Sequence, residues 1–447
     1  MIADYFRQGG TVRARIRIAL PILLAALPLA YLVWMAATLS IDVPFWDSWE
    51  LVPRLQHLTD GSFTLDDLWQ QHNEHRHFFP VLWMLILARL SGWNGHLEVA
   101  TNVTLGVGIF LIYARYLRTA WKDRGAAPLW LLPVLSVLIF SPFQWENWLW
   151  GWQIVALMGG FSLIAGLYLL ADTHPSALRF AAALACGVWA TYSFGAGLVY
   201  WVVGPIAIVL GPRDRRPVRA VLWLLVGGLT LASYFYHYHK PPGPAMSENF
   251  SSGAAILHLI VYFVKYVGAP VAAFKSVLAA LSGIGITLVF TALALRLRAR
   301  WREPAILFPL LAGVLVFGIA AISATGRAWM GTNQALASRY GTFSLHLWCA
   351  SALLAVEWLR GEAGGARRTV RQFGAIAVTI AILAAATYNG QQASRLAAAR
   401  SDYIRIGRRG LIGGRSEALL LRLYPDLATI QQRRVILQTL SLSVFRR

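Results

Sequence analysis

The sequence predicts an all-α fold: a polytopic bundle of transmembrane helices, about 11 spans, with interfacial helices in its outer loops. Three observations carry this. Only 13% of the 447 residues are charged, against about 25% in a soluble domain. Apolar runs of roughly 20 residues, each long enough to cross ~30 Å of hydrocarbon, recur from Ile16 almost to the C-terminus. The formal charge of +20 is gathered in short clusters between those runs, as the positive-inside bias requires. That placement makes the charge a record of topology and implies no nucleic-acid partner.

Arg7, Arg13 and Arg15 precede the first run, 16–39, and Arg17 lies at its start. It is longer than the roughly 7–15 apolar residues of a signal peptide, so it reads as an uncleaved span with a cytoplasmic N-terminus. Basic clusters at Arg115/Arg118/Lys122/Arg124, Arg213/Arg215/Arg216/Arg219, Arg296/Arg298/Arg300/Arg302 and Arg360/Arg367/Arg368/Arg371, with the lone Arg179, mark later inner turns. Placing all of them inside threads spans through 98–117, 128–141, 153–171, 178–193, 196–211, 218–235, 276–296, 305–323, 342–359 and 372–388. The outer loops are then 41–97, 142–152, 237–274 and 324–341. Two apolar stretches, 78–90 and 256–271, would put an arginine cluster outside if they crossed. They read as helices lying in the outer interface. The membrane domain is thus 1–388. Residues 389–447 form a polar tail with 11 arginines, expected outside and resting on anionic headgroups. Cys186 and Cys349 lie far apart inside apolar runs and read as packing residues.

The unusual polar residues fall in the outer loops. The first loop opens Trp46-Asp47-Ser48-Trp49-Glu50. Carboxylates flanked by tryptophans at a membrane surface are partly desolvated, which suits a general base; the plain alternative is a polar helix end among headgroups. The same loop contains Gln71-His72-Asn73-Glu74-His75-Arg76-His77. On a helix His72, Glu74 and His75 would share one face. They read as a hydrogen-bonded, substrate-contacting cluster, since the pattern is not the H-E-x-x-H of zinc hydrolases. The second loop places Glu146 and Asn147 among Trp145, Trp148, Trp150 and Trp152. Such rings serve an interfacial belt and also stack on sugars, and the carboxylate and amide favour a site. Arg327 and Arg339 flank a Gly/Asn/Gln-rich loop and, with Arg76 and Lys265, are suited to a phosphate, because a guanidinium donates two parallel hydrogen bonds. The plain reading of these cations is snorkelling to headgroups.

On these residues the chain resembles the GT-C superfamily of membrane glycosyltransferases, which use polyprenyl-phosphate sugars. The resembling features are the acidic motif at Trp46–Glu50, the His/Pro element His72–Pro80, the bend Ser91-Gly-Trp-Asn-Gly95, the second-loop Glu146 and the long loop after span seven, together covering roughly residues 17–275. The resemblance implies that Asp47 is the catalytic base, with Glu50 the alternative, and that Glu146 is the second-loop acidic residue. It implies a donor phosphate held by Arg76, Lys265, Arg327 and Arg339, with substrate contacts from His72, Asn73, Glu74, His75, Trp145, Asn147 and Trp148. The partners implied are a polyprenyl-phosphate sugar, a glycan, lipid or protein acceptor, and membrane lipids. No clean Asp-Glu or Asp-x-Asp pair is present. No metal ligand set is therefore assigned and no cofactor is certain, though a divalent cation has room. A lipid-linked-glycan flippase and a membrane acyltransferase are the competing classes. The first wants ionisable groups at the midplane. The second wants a buried histidine, for which His346 is the candidate. Arginine- and alanine-rich composition places the protein in a bacterial inner membrane, with its active site on the periplasmic face.

Overall fold

A computed structural model describes residues 12–121, 127–172, 176–211, 215–243, 245–360, 366–414 and 416–446. Among them, nine helices are long and apolar enough to cross a membrane, and this is a helical membrane protein. Their outward faces are apolar: Leu23, Leu27, Leu224, Leu229, Val277 and Leu281 are all more than half exposed. That pattern makes sense only where lipid is the solvent.

In chain order the helices are α1 (Val12–Leu39), α2 (Leu51–Asp60), α3 (Asp66–Trp69), α4 (Phe78–Ser91), α5 (Gly95–Ala120), α6 (Leu131–Ile139), α7 (Trp145–Leu149), α8 (Ile154–Leu170), α9 (Ala177–Thr191) and α10 (Leu198–Leu210). There follow α11 (Arg216–Phe235), α12 (Gly253–Ala272), α13 (Ser276–Arg296), α14 (Pro304–Arg327), α15 (Gly341–Arg360), α16 (Ala366–Gly413), α17 (Glu417–Leu420) and α18 (Leu427–Thr439). One two-stranded antiparallel hairpin, β1 (Gln71–His72) and β2 (His75–Arg76), interrupts them.

Eight of the nine long helices coincide with expected spans, and three expected spans fall short. The 128–141 run yields only α6, nine residues, because Pro142 opens a new turn capped by Ser141. The 178–193 and 196–211 runs yield α9 and α10, 15 and 13 residues, separated by a turn at Tyr192–Gly197. The ninth long helix is α12, expected as an interfacial element. It is 20 residues long and apolar enough to cross. Yet its two flanks touch the last turn of α14 and the loop that follows it: Asn249 Nδ2 donates to Thr325 O at 2.8 Å and Ser276 Oγ to Asn333 Oδ1 at 2.9 Å. It packs tightly on α13. A Cβ on Gly268 would lie 1.9 Å from Ala279 O, and one on Gly283 1.7 Å from Val264 O, so the two backbones meet without side chains between them.

Among the described residues the basic turns between spans gather at one end of the bundle, while the arginines of the C-terminal stretch lie at the other, on Asp42 and Glu50. Tyr116 at the end of α5 donates to Ala305 O, and Arg300 bonds both Glu303 and Glu357. Arg360 covers the Trp121 ring and Arg302 reaches Leu210 O. The loops carrying Asp47, Glu74, Glu146 and Arg327 lie together at the other end.

The boundary expected at 388/389 falls inside a single helix. α16 runs 48 residues without a break, and α17 and α18 then fold back over the first loop. Leu411, Leu420, Leu423, Ile430 and Leu437 are buried with Val43, Phe45, Trp49, Leu51, Val52 and Leu55 in a second core that is seated on the start of α8 through Ile154, Val155 and Met158. Each such side chain stabilises by about 1.5–3 kcal/mol when withdrawn from water. The described residues from 389 onward are therefore a packed cap; the expectation of a polar tail overlooked the leucines clustered from Leu411 to Leu442.

Candidate active site

Asp47 sits in a 3-10 turn, Trp46–Glu50. The turn begins with Trp46 at φ +46°, a left-handed conformation that bulky residues rarely adopt. The Trp46 N–H donates to Leu423 O at 2.9 Å, so the cap holds the strained residue and sets the direction in which Asp47 leaves. Ser48 is buried, its hydroxyl accepting from Trp150 Nε1 at 3.1 Å.

The histidine motif is a hairpin, where a helical face was expected. Asn73 turns the chain at φ +51°, which Asn tolerates better than most residues. His72 and His75 are consequently cross-strand partners. His72 Nε2 faces Asp47 Oδ2 at 3.7 Å, just beyond hydrogen-bond length, and has no other partner although buried. Its ring lies against Trp152, centroids 5.2 Å apart. His75 stacks on Phe194 at 4.3 Å and accepts the Gly195 N–H at Nδ1. His77 Nδ1 meets Ser193 O at 2.7 Å. The turn that shortens α9 and α10 thus supplies the backbone groups that orient two of the three imidazoles. Burial drives His75 down to about 4, outweighing the pull of Glu74, and drives His77 well below the usual range. Both rings are neutral at pH 7 and act as oriented dipoles.

Glu74, at the hairpin tip, pairs with Arg327 at the end of α14 and lies 3.4 Å from His75 Nε2. Burial alone would raise its carboxyl. The neighbouring His75 and Arg327 outweigh that and lower it to about 2. Since His75 is neutral, Arg327 is the lasting counter-charge. Arg327 and Arg339 both lie over the Tyr340 ring, at 6.0 and 5.7 Å. Glu146 accepts from the Ser338 hydroxyl and from Arg339 N, and its other oxygen lies 3.6 Å from Arg339 Nη1. One polar patch therefore runs Asp47, His72, His75, Glu74, Arg327, Tyr340, Arg339, Glu146.

Other expected site residues are placed elsewhere. Glu50 is clamped by Arg433 at 2.7 and 3.4 Å and approached by Tyr424 OH. Arg76 is buried and donates to the carbonyls of Trp69, Tyr234 and Tyr236, one from each of its three nitrogens, which makes it a structural staple. Lys265 donates to Thr332 Oγ1 and Asn333 Oδ1. Asn147 is buried, tying α7 to Arg339 O and Thr342 Oγ1. Trp148 is packed in the bundle core against Gly106, closed to any ligand. Trp145 is half-buried at the surface, and Asn73 is exposed at the turn.

Sequence reasoning named Trp152 only as one ring of the second loop and missed Ser338, Tyr340 and Phe194. Ser338 and Tyr340 stood inside a loop already singled out and lacked only a partner to mark them. Phe194 gave no signal. Among the described residues no group of three or more His, Cys, Asp or Glu is arranged to hold a metal ion. The chain matches no protein-family model, and neither a curated protein nor a solved structure is significantly similar to it.

Proposed function

We propose that this protein is a glycosyltransferase of the bacterial inner membrane that moves a sugar from a polyprenyl-phosphate donor to an acceptor hydroxyl on the periplasmic face. The observation that carries the reading is the electrostatic company of one buried imidazole. Asp47, His72, Glu74 and Arg327 all lie within charge range of His75, so a carboxylate with no arginine partner and a strongly basic group border one site. Asp47 makes no hydrogen bond to a described residue and keeps about a third of its side chain exposed, so it is free to accept a proton.

In this reading Asp47 takes the acceptor hydroxyl proton as that oxygen attacks the anomeric carbon. The bond from that carbon to the phosphate oxygen breaks, and its electron pair leaves with the polyprenyl phosphate. Arg327 and Arg339, anchored over Tyr340, stabilise the charge growing there. The basic turns between spans lie at the opposite end of the bundle, which supports a periplasmic site under the positive-inside rule as counted over short loops; the arginines of the cap lie on the site's own side and are outside that count. A rival acyltransferase would use His346, but that ring is buried against Tyr113, whose hydroxyl lies 3.0 Å from its Nδ1, with no carboxylate contact. The test is purified protein incubated with a radiolabelled lipid-phosphate sugar. Release or transfer of label supports the proposal, and movement of intact donor across vesicles without cleavage replaces it with a flippase.

A further inference from the structure

Glu146 also borders a cleft that includes neither Asp47 nor the two arginines of the patch. It encloses about 730 Å³, part of it open to solvent, between the start of the first loop, the 145–151 turn, the beginning of α5 and the stretch of α16 around Arg400. Four aromatic side chains, Phe45, Trp93, Trp145 and Trp150, line it. Two of its polar groups have unmet capacity. Glu98 is 3% exposed; its Oε1 accepts from Trp93 Nε1 at 2.9 Å, and Oε2 has no hydrogen-bond partner among the described residues. That second oxygen has room only because residue 151 is glycine, where a Cβ would lie 2.0 Å from it. Arg400 lies over the rings of Phe45 and Tyr403 at 4.6 and 5.1 Å, with no carboxylate partner among the described residues. Asp42, by contrast, is engaged by Arg446 and the Gly95 N–H.

The geometry points to a carbohydrate-binding subsite in this cleft, one that takes a neutral, hydroxyl-rich ring. Aromatic faces cover the apolar face of a sugar, carboxylate oxygens accept from its hydroxyls, and a guanidinium donates to them. A lipid tail would leave Glu98 and Arg400 unpaired in an apolar fill, which is costly. A phosphate would meet the acidic side chains of Glu98 and Glu146, with Arg400 the one cation among the described residues of the lining. As the acceptor side of the reaction, the subsite rests on the glycosyl-transfer reading, with Glu146 shared between the two halves; as a sugar site it stands without that reading.

The test measures binding with no donor present. The full chain is purified in a detergent without sugar headgroups. Saturation-transfer difference NMR then uses the methyl glycosides of mannose, galactose and arabinose as probes. Saturation of at least one probe is expected, weakened at least about fivefold in Trp145→Ala and in Arg400→Gln. Arg400→Gln serves if Trp145→Ala does not elute as a single folded species. No saturation of any probe, or saturation unchanged in the folded variants, overturns the subsite. Binding retained while the transfer assay fails removes the reaction and leaves the subsite. Transfer without cleft-dependent binding removes the subsite alone.

Discussion

Asp47 and Glu50 leave the same 3-10 turn three residues apart and face different halves of the molecule. Glu50 turns toward the cap, where Arg433 and Tyr424 engage both its oxygens and Asp42 is likewise held by Arg446. Asp47 turns toward the hairpin, where its nearest charged or titratable neighbour is a histidine at 3.7 Å. A carboxylate whose lone pairs are filled by a guanidinium is a fastener. One facing an unpaired imidazole can exchange protons. The cap thus performs two tasks with one set of contacts: it neutralises the carboxylates on its side of the turn and aims the remaining one away.

The sharpest way to break that distinction is to neutralise each carboxylate in turn. Asp47→Asn should lower transfer by about 10²–10⁴-fold with the melting temperature unchanged. Glu50→Gln should leave turnover within a few-fold and lower the melting temperature. Equal kinetic losses in the two would erase the difference. Next in size, Arg339→Ala should cost about 10²–10³-fold in kcat/KM, whereas Arg433→Ala, at the fastening side, should leave it nearly intact. Steady-state kinetics on both decide this.

Acid should then loosen the hairpin side more than the cap side. His75 titrates near 4 when folded and near 6.5 when unfolded, so the unfolded chain takes the proton first. Stability is full above about pH 6.5 and falls as pH drops toward 4, by about 2 kcal/mol at pH 5. Scanning fluorimetry at pH 7.5 and 5 should show a smaller drop in His75→Asn, whose Oδ1 can take the same Gly195 N–H; an undiminished drop would assign the acid sensitivity elsewhere. The smallest effect is the Glu50–Arg433 coupling. A double-mutant cycle should return about 1 kcal/mol or somewhat more for this partly buried pair, and additivity would mean the cap is held by its leucines alone.

Part of the site was legible in the chain. Asp47, His72, Glu74, Glu146, Arg327 and Arg339 stood out because charged side chains next to long apolar runs are few. Their distribution between work and scaffolding was not legible. Arg76 reads like Arg327 in one dimension, yet its three nitrogens are tied to the carbonyls of Trp69, Tyr234 and Tyr236. Trp148 reads like Trp145, yet one is core and the other surface. The hairpin was taken for a helix because the three-residue spacing of His72 and His75 suits both a helix face and a cross-strand pair, and only the left-handed Asn73 decides between them.

By itself the sequence determined that this chain lives in a membrane and which residues could carry chemistry, because hydropathy and charge are properties of contiguous segments and act before any tertiary contact forms. The tertiary structure alone decided who pairs with whom. Glu50 meets a partner 383 positions away and Glu74 one 253 positions away. Such pairing depends on where whole helices end and how they return, which no local stretch of sequence encodes.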